Sequence, residues 1–262
     1  MEKEFNPIET IVADGGMTAI LRKVACIGDS LSSGECEWLN DKGEVKYYDF
    51  YDASWGQFMA RKCGLDVINL SNGGLSAKTW HEYAYYNKAF YQEKACKAYI
   101  IALGVNDVSH LDKVYGEYGF GSMDDVEFKN IENHKPSFVG YYVKIILKIR
   151  ELVPDARIFV VTMPKDDRDT EEKAKLRDKH AEFLNSLPNY FKSLYVIDLR
   201  KYARDFGEDF TKTYRLGGHL SPIGYKYVAD IMATYIDYII MNNIDDFKGI
   251  MFAGTGMKAR ID

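Results

Sequence analysis

Apolar residues along this chain fall into short unbroken blocks separated by longer stretches with helical spacing. Five blocks read as strands: about Lys23 to Ile27, Leu65 to Leu70, Ala98 to Leu103, Ala156 to Thr162, and Leu194 to Asp198. Such continuous runs, bounded by glycine and polar turns, suit strands covered on both faces. Between them lie helical patterns. Ser54 to Arg61 carries Trp55, Phe58 and Met59 on one face and is closed by Gly64. Thr79 to Lys94 is helical and dense in tyrosine. After Pro136, residues Phe138, Tyr142, Ile145, Ile146, Ile149 and Leu152 keep helical spacing until Pro154 stops them. A charged helix runs from about Thr170 to Ser186, and a last one starts with Ser221 as cap and Pro222 at its first position.

Strands alternating with helices, with no linker or internal repeat, predict one α/β domain over residues 1–262. The expected architecture is three-layer α/β/α, doubly wound, with a flavodoxin-like parallel five-stranded sheet. Residues 1–21 read as a small hairpin or extended lead-in, and two stretches, about 35–51 and 108–135, as long loops. Right-handed crossovers bring all five strand ends to one edge, where open α/β sheets place their chemistry.

Three strand ends carry the polar residues that matter. The first gives Gly28-Asp29-Ser30-Leu31, the second Asn72-Gly73-Gly74, the third Gly104-Val105-Asn106-Asp107; His219 stands just before the final helix. Each motif alone is an ordinary turn, since Gly, Asp, Asn and Ser are the commonest turn residues. Together they supply what acyl transfer needs: a hydroxyl nucleophile, an imidazole to take its proton, and donors for an oxyanion.

These blocks, in this order, resemble the SGNH (GDSL-type) hydrolase superfamily, over most of the span from residue 28 to about 225. The resemblance implies Ser30 as nucleophile and His219 as general base. It implies an oxyanion hole from the backbone N–H of Ser30, the N–H of Gly74 and the side-chain amide of Asn106. A second register would place Ala77 where Gly74 stands. The family's substrates include acetylated sugars, simple esters, lipids and thioesters. The expected activity is therefore a serine esterase working through an acyl-enzyme on a small-molecule ester, with a short acyl group, such as acetyl on a carbohydrate, preferred. No metal or organic cofactor is implied.

One position departs from the family pattern. Three residues before His219, where an aspartate is usual, stands Leu216. Leucine can neither orient an imidazole nor stabilise its protonated form. Three arrangements stay open: a Ser30–His219 dyad steadied by a backbone carbonyl, an acid from elsewhere such as Asp205, Glu208 or Asp209, or loss of activity. The last would leave a non-catalytic binding protein on the same fold.

Composition narrows the partners. A net charge of −5 with no basic cluster argues against nucleic acid. Cys26, Cys36, Cys63 and Cys96 are scattered, without metal-ligand or disulfide spacing. No secretory signal begins the chain and no apolar run reaches the length of a membrane span, so a cytoplasmic protein without membrane attachment is expected; oligomeric state is left open. The turn after the first strand lacks the glycine signatures of dinucleotide and phosphate loops, and Gly-x-Ser-x-Gly is absent at Ser30. Tyr47, Tyr48, Phe50 and Tyr51 in one long loop, and Tyr115, Tyr118 and Phe120 in the other, are expected chiefly to bury those loops. The alternative is stacking on a sugar or covering an acyl chain.

Overall fold

The computed structural model describes residues 5–86 and 88–251. Five strands form one parallel sheet: β1 (Lys23–Gly28), β4 (Asp66–Ser71), β5 (Ala98–Ala102), β6 (Arg157–Val161) and β7 (Leu194–Ile197). Their spatial order is β4-β1-β5-β6-β7, the flavodoxin-like order expected of a doubly wound sheet. Between β1 and β4 come the single turn α1 (Ser30–Ser33), the antiparallel pair β2 (Glu35–Leu39) and β3 (Val45–Asp49), and the helix α2 (Trp55–Cys63). Helix α3 (Ala77–Tyr86) joins β4 to β5, and α4 (Val105–Ser109), α5 (Leu111–Tyr115) and α6 (Phe138–Leu152) join β5 to β6. Helix α7 (Glu171–Ser186) leads to β7. The chain then passes through α8 (Leu199–Tyr202), α9 (Glu208–Tyr214) and a two-stranded turn, β8 (Arg215–Leu216) with β9 (His219–Leu220). It ends its described part in α10 (Pro222–Asn242) and α11 (Ile244–Met251).

The sheet separates two cores, as the alternation of side chains along a strand requires. Ala25, Ile27, Tyr99, Ile101, Ile158 and Val160 face one way, against Trp80 of α3 and Tyr142 and Ile146 of α6. Val24, Cys26, Ile100, Phe159 and Val161 face the other, against Met59 of α2 and Ile236 of α10. Burial on both faces explains why these strands read as unbroken apolar runs.

Three expected elements differ. The lead-in is no hairpin: Gly16–Leu21 is a 3-10 turn held by α10, with Met17 N donating to Asp237 Oδ1 at 2.6 Å and Thr18 Oγ1 to the carbonyl of Ala233 at 2.7 Å. The helix expected to Lys94 stops at Tyr86 in the described part, and Gln92–Lys94 forms a separate 3-10 turn; Asn87 lies outside the described residues. The stretch 35–51, expected as a loop, is largely the β2–β3 hairpin.

Candidate active site

The turn after β1 is set by Asp29 and Gly28. Asp29 caps α1: its Oδ1 accepts from Leu31 N at 3.0 Å, and its carbonyl accepts from the N–H of Ser32 and of Ser33, each at 2.9 Å. A Cβ on Gly28 would collide with Ser32 Oγ, so only glycine lets the strand pass into this turn. Ser30 is thereby held at the first position of α1, 9% exposed. Neither its Oγ nor its N–H donates a hydrogen bond within the described residues. Burial pushes the Asp29 carboxyl up to about 7, and the nearby carboxylates of Asp107 and Glu35 add to this. Asp29 shapes the turn and is buried beneath it.

Strands β4 and β5 flank β1, with Ser71 and Ala102 both level with Gly28. Neighbouring strands lie about 4.8 Å apart, so the turns that follow all three converge on one small region. After β4, Gly74 has a left-handed backbone, φ +74°, and faces open space. After β5, Gly104 has φ +141° and packs against the buried His180 ring, whose Nε2 lies 3.0 Å from the carbonyl of Leu103. Asn106 then begins α4, and its Nδ2 donates to the Leu75 carbonyl at 3.0 Å. An amide nitrogen carries two hydrogens, so one remains for a substrate. Asp107 ties the two turns together, accepting from Ala77 N at 2.8 Å and from the Tyr115 hydroxyl. That bond occupies the N–H of Ala77, which removes the alternative register; the N–H of Gly74 has no partner among the described residues.

His219 lies on β9, past the Gly217-Gly218 turn. Its imidazole stands between two carboxylates of β2. Nδ1 is 2.7 Å from Glu37 Oε1, and Nε2 is 3.0 Å from Glu35 Oε1. Glu37 Oε1 also accepts from Gly218 N at 2.8 Å, and its carboxylate fills the space that a Cβ on Gly217 or Gly218 would need. The other oxygen of Glu35 rests against Gly73, so one carboxylate bridges the imidazole and the glycine turn. Tyr225 pins this arrangement from beneath, its hydroxyl donating to the Glu35 carbonyl at 2.6 Å and approaching that of Ser30 at 3.4 Å. Tyr47, opposite Glu37 on β3, sets its ring edge-on to His219 at 5.8 Å between centroids. Burial raises the Glu35 carboxyl above the ordinary range; His219 opposes this, while Asp49 and Glu37 add to it.

A carboxylate from a different strand therefore stands where Leu216 offers none. Leu216 is 44% exposed, and the Nδ1 partner is a carboxylate rather than a backbone carbonyl. Asp205, Glu208 and Asp209 lie exposed and make no bond to His219. The signal for Glu37 was present: Glu35-x-Glu37 at strand period puts both carboxylates on one face, and Asn40-Asp41-Lys42-Gly43 is a turn between two β-prone segments. The aromatic residues divide. Tyr115 and Phe120 are buried as expected and Tyr51 is half-buried, whereas Tyr118 is exposed, as are Tyr47 and Tyr48 on the hairpin, Phe50 just after it and Trp38 on its other strand. Among the described residues, no group of three or more His, Cys, Asp or Glu side chains is placed to hold a metal ion, and no helix is long and apolar enough to cross a membrane.

A hydroxyl on a sharp turn, an acid-steadied imidazole and three unengaged N–H donors at adjacent strand ends are the parts of an acyl-transfer site. Solved structures share the fold. A family two carbohydrate esterase from Clostridium thermocellum, in complex with cellohexaose, matches with a TM-score of 0.57 at 18% identity, over 86% of this chain and 65% of that one. The chain therefore spans about two thirds of that protein's length. A carbohydrate acetylesterase from Sinorhizobium meliloti matches with a TM-score of 0.55 at 16% identity, over 83% and 99% of the two chains. An acetyl xylan esterase matches with a TM-score of 0.52 at 19% identity, over 80% and 97%. No curated protein sequence matches significantly. The sequence profile of the GDSL-like lipase/acylhydrolase family covers residues 26–227, from within β1 into α10, and the chain belongs to that family of ester hydrolases.

Proposed function

We propose that the chain is a serine esterase whose nucleophile is Ser30, whose general base is His219 and whose base-orienting acid is Glu37. The observation that carries this reading is the contact of His219 Nδ1 with Glu37 at 2.7 Å, which supplies the carboxylate that Leu216 cannot. Glu37 accepts a hydrogen bond from Nδ1–H, which keeps that proton on Nδ1 and leaves Nε2 as the basic nitrogen. As substrate enters, Glu35 turns away with the proton that it shares with Nε2, and the freed Nε2 lone pair then takes the Ser30 hydroxyl proton while Oγ attacks the ester carbonyl. The oxyanion accepts hydrogen bonds from Ser30 N, Gly74 N and the second hydrogen of Asn106 Nδ2. The C–O bond to the alcohol breaks and the alcohol leaves with the proton from Nε2. A water molecule, deprotonated by the same nitrogen, then cleaves the acyl-Ser30 ester, releasing the acid and restoring Ser30.

The preferred substrate is a short acyl ester, acetyl on a carbohydrate in particular. Support comes from Tyr47, exposed on the hairpin face that carries Glu37 and set beside His219, which offers an aromatic surface to a sugar at the site. The carbohydrate esterases that share the fold point the same way. The rival reading, a non-catalytic binding protein, drew only on Leu216. A series of p-nitrophenyl esters of increasing acyl length tests the proposal on wild type and Ser30→Ala. Turnover falling with chain length and vanishing in Ser30→Ala supports it; equal turnover in both proteins refutes it.

A further inference from the structure

A cleft of about 340 Å³ begins beside Ser30, and its wall is charged. It is lined by Leu31, Val105 and Gly218, the sequence neighbours of Ser30, Asn106 and His219. The same lining holds four cations, Arg168, Lys173, Arg177 and Arg215, which share the carboxylates of Asp166 and Asp169. Asp166 accepts from Arg168 Nε and Nη2, each at 3.0 Å, and also from Arg215 Nη2. Asp169 pairs with Arg177 Nε at 2.8 Å and Lys173 Nζ at 3.7 Å. The lining therefore carries two more positive than negative charges. Nearby Asp167 cuts that surplus to one, and Arg200 is already matched by Asp178 at 2.8 Å.

Two of these four cations are buried and two, Arg168 and Lys173, are partly exposed. The side chains of Arg177 and Arg215 are only 8% and 6% exposed. Arg215 directs Nη1 to the Gly218 carbonyl at 3.2 Å and Nη2 to Asp166, yet its buried Nε has no hydrogen-bond partner among the described residues. Burial lowers the pKa of both guanidiniums; the paired aspartates oppose this, and neighbouring arginines add to it. Ion pairs serving only to fasten the segment before α7 to β8 would need one cation for each carboxylate. The buried carboxylates of Asp166 and Asp169 match the two buried guanidiniums one for one, so the surplus charge sits on the partly exposed Arg168 and Lys173, and the Arg215 Nε is a buried donor that an entering anion would satisfy.

We infer that this wall is an anion subsite, and that the ester it serves carries a carboxylate or similar anionic group on its acyl or alcohol part. A planar guanidinium fork suits such a group, and the cleft volume lies at the lower end of small-ligand pockets. The catalytic half of this inference rests on the esterase reading of Ser30; the binding half does not.

Two matched ester pairs and one binding measurement separate these halves. Mono-p-nitrophenyl glutarate against p-nitrophenyl butyrate places the charge on the acyl side. Acetylated methyl glucuronoside against acetylated methyl glucoside places it on the alcohol side. The anionic member of one pair should show about tenfold higher kcat/KM, a preference that shrinks in high salt and in both Arg177→Gln and Lys173→Gln. Lys173 is partly exposed, so its replacement spares the fold if the buried arginine does not. Calorimetry on wild type and Ser30→Ala should find glutarate or glucuronate bound more tightly than butyramide or glucose. Anion binding without hydrolysis of any ester would sink the esterase reading and keep the subsite. Hydrolysis of neutral esters, with neither preference for nor binding of the anions, overturns the subsite and keeps the esterase.

Discussion

Glu37→Gln is the substitution that bears hardest on the site geometry. Glu37 Oε1 accepts from His219 Nδ1 at 2.7 Å and from Gly218 N at 2.8 Å, on a side chain only 17% exposed. Glutamine keeps the shape but can turn its amide N–H toward Nδ1. The ring then carries its proton on Nε2, the nitrogen that must accept from Ser30. The loss combines a charge-assisted hydrogen bond, about 1.5–3 kcal/mol, with the wrong tautomer. Removing the acid in serine triads costs about 10⁴ in kcat, near 5.5 kcal/mol, which sets the upper end. The expected loss is about 10²–10⁴ in kcat with KM changed little, measured as p-nitrophenyl acetate hydrolysis with circular dichroism confirming the fold. The double change Glu37→Gln with Leu216→Asp should recover part of it, because Leu216 pairs directly with His219 across β8 and β9. A folded Glu37→Gln within threefold of wild type would show that the carboxylate does not steady the base.

Three further outcomes follow from the same geometry. Asn106→Ala should lower kcat by about 10²–10³, or 2.7–4 kcal/mol, through the lost oxyanion donor; an effect confined to KM in ester kinetics would contradict that role. Glu35→Gln removes the negative partner at 3.0 Å from His219 Nε2, so the acid limb of the kcat/KM profile should move down by roughly half a pH unit or more; an unmoved or rising limb would show that Glu35 is electrostatically idle. Asp29, held near 7 when folded against an ordinary 3.8, keeps its proton between those values where the unfolded chain has lost it. Wild-type stability therefore falls as pH rises through that window, and Asp29→Asn is spared the fall. The advantage of Asp29→Asn in urea unfolding should grow by on the order of 2–4 kcal/mol from pH 4 to pH 8, and a constant difference would refute the assignment.

Legibility in the sequence followed burial. Strands such as Ala98–Ala102 and Arg157–Val161 are covered on both faces, so their apolar runs announced them, and their order followed from the alternation with helices. Ser30, Asn106 and His219 were visible because their motifs sit at element boundaries where glycine and capping residues leave a local trace. Glu37 left none. Its partner is 182 residues away, and every residue of the partner strand Val45–Asp49 is exposed, so no apolar alternation marked the hairpin. The lead-in failed for a related reason: Asp237 and Ala233 of α10, far along the chain, capture it. Local pattern reports local energetics, and these features are held by contacts between distant segments.

The central claim is that Ser30 is a nucleophile activated by His219 and Glu37. Its most direct test is the intact mass of the wild-type protein after reaction with an organophosphate, followed by peptide mapping of the adduct. The predicted result is one phosphoryl group on the peptide containing Ser30, formed far more slowly in Glu37→Gln and absent in Ser30→Ala. A folded wild type that stays unmodified, or an adduct carried on another residue, would contradict it.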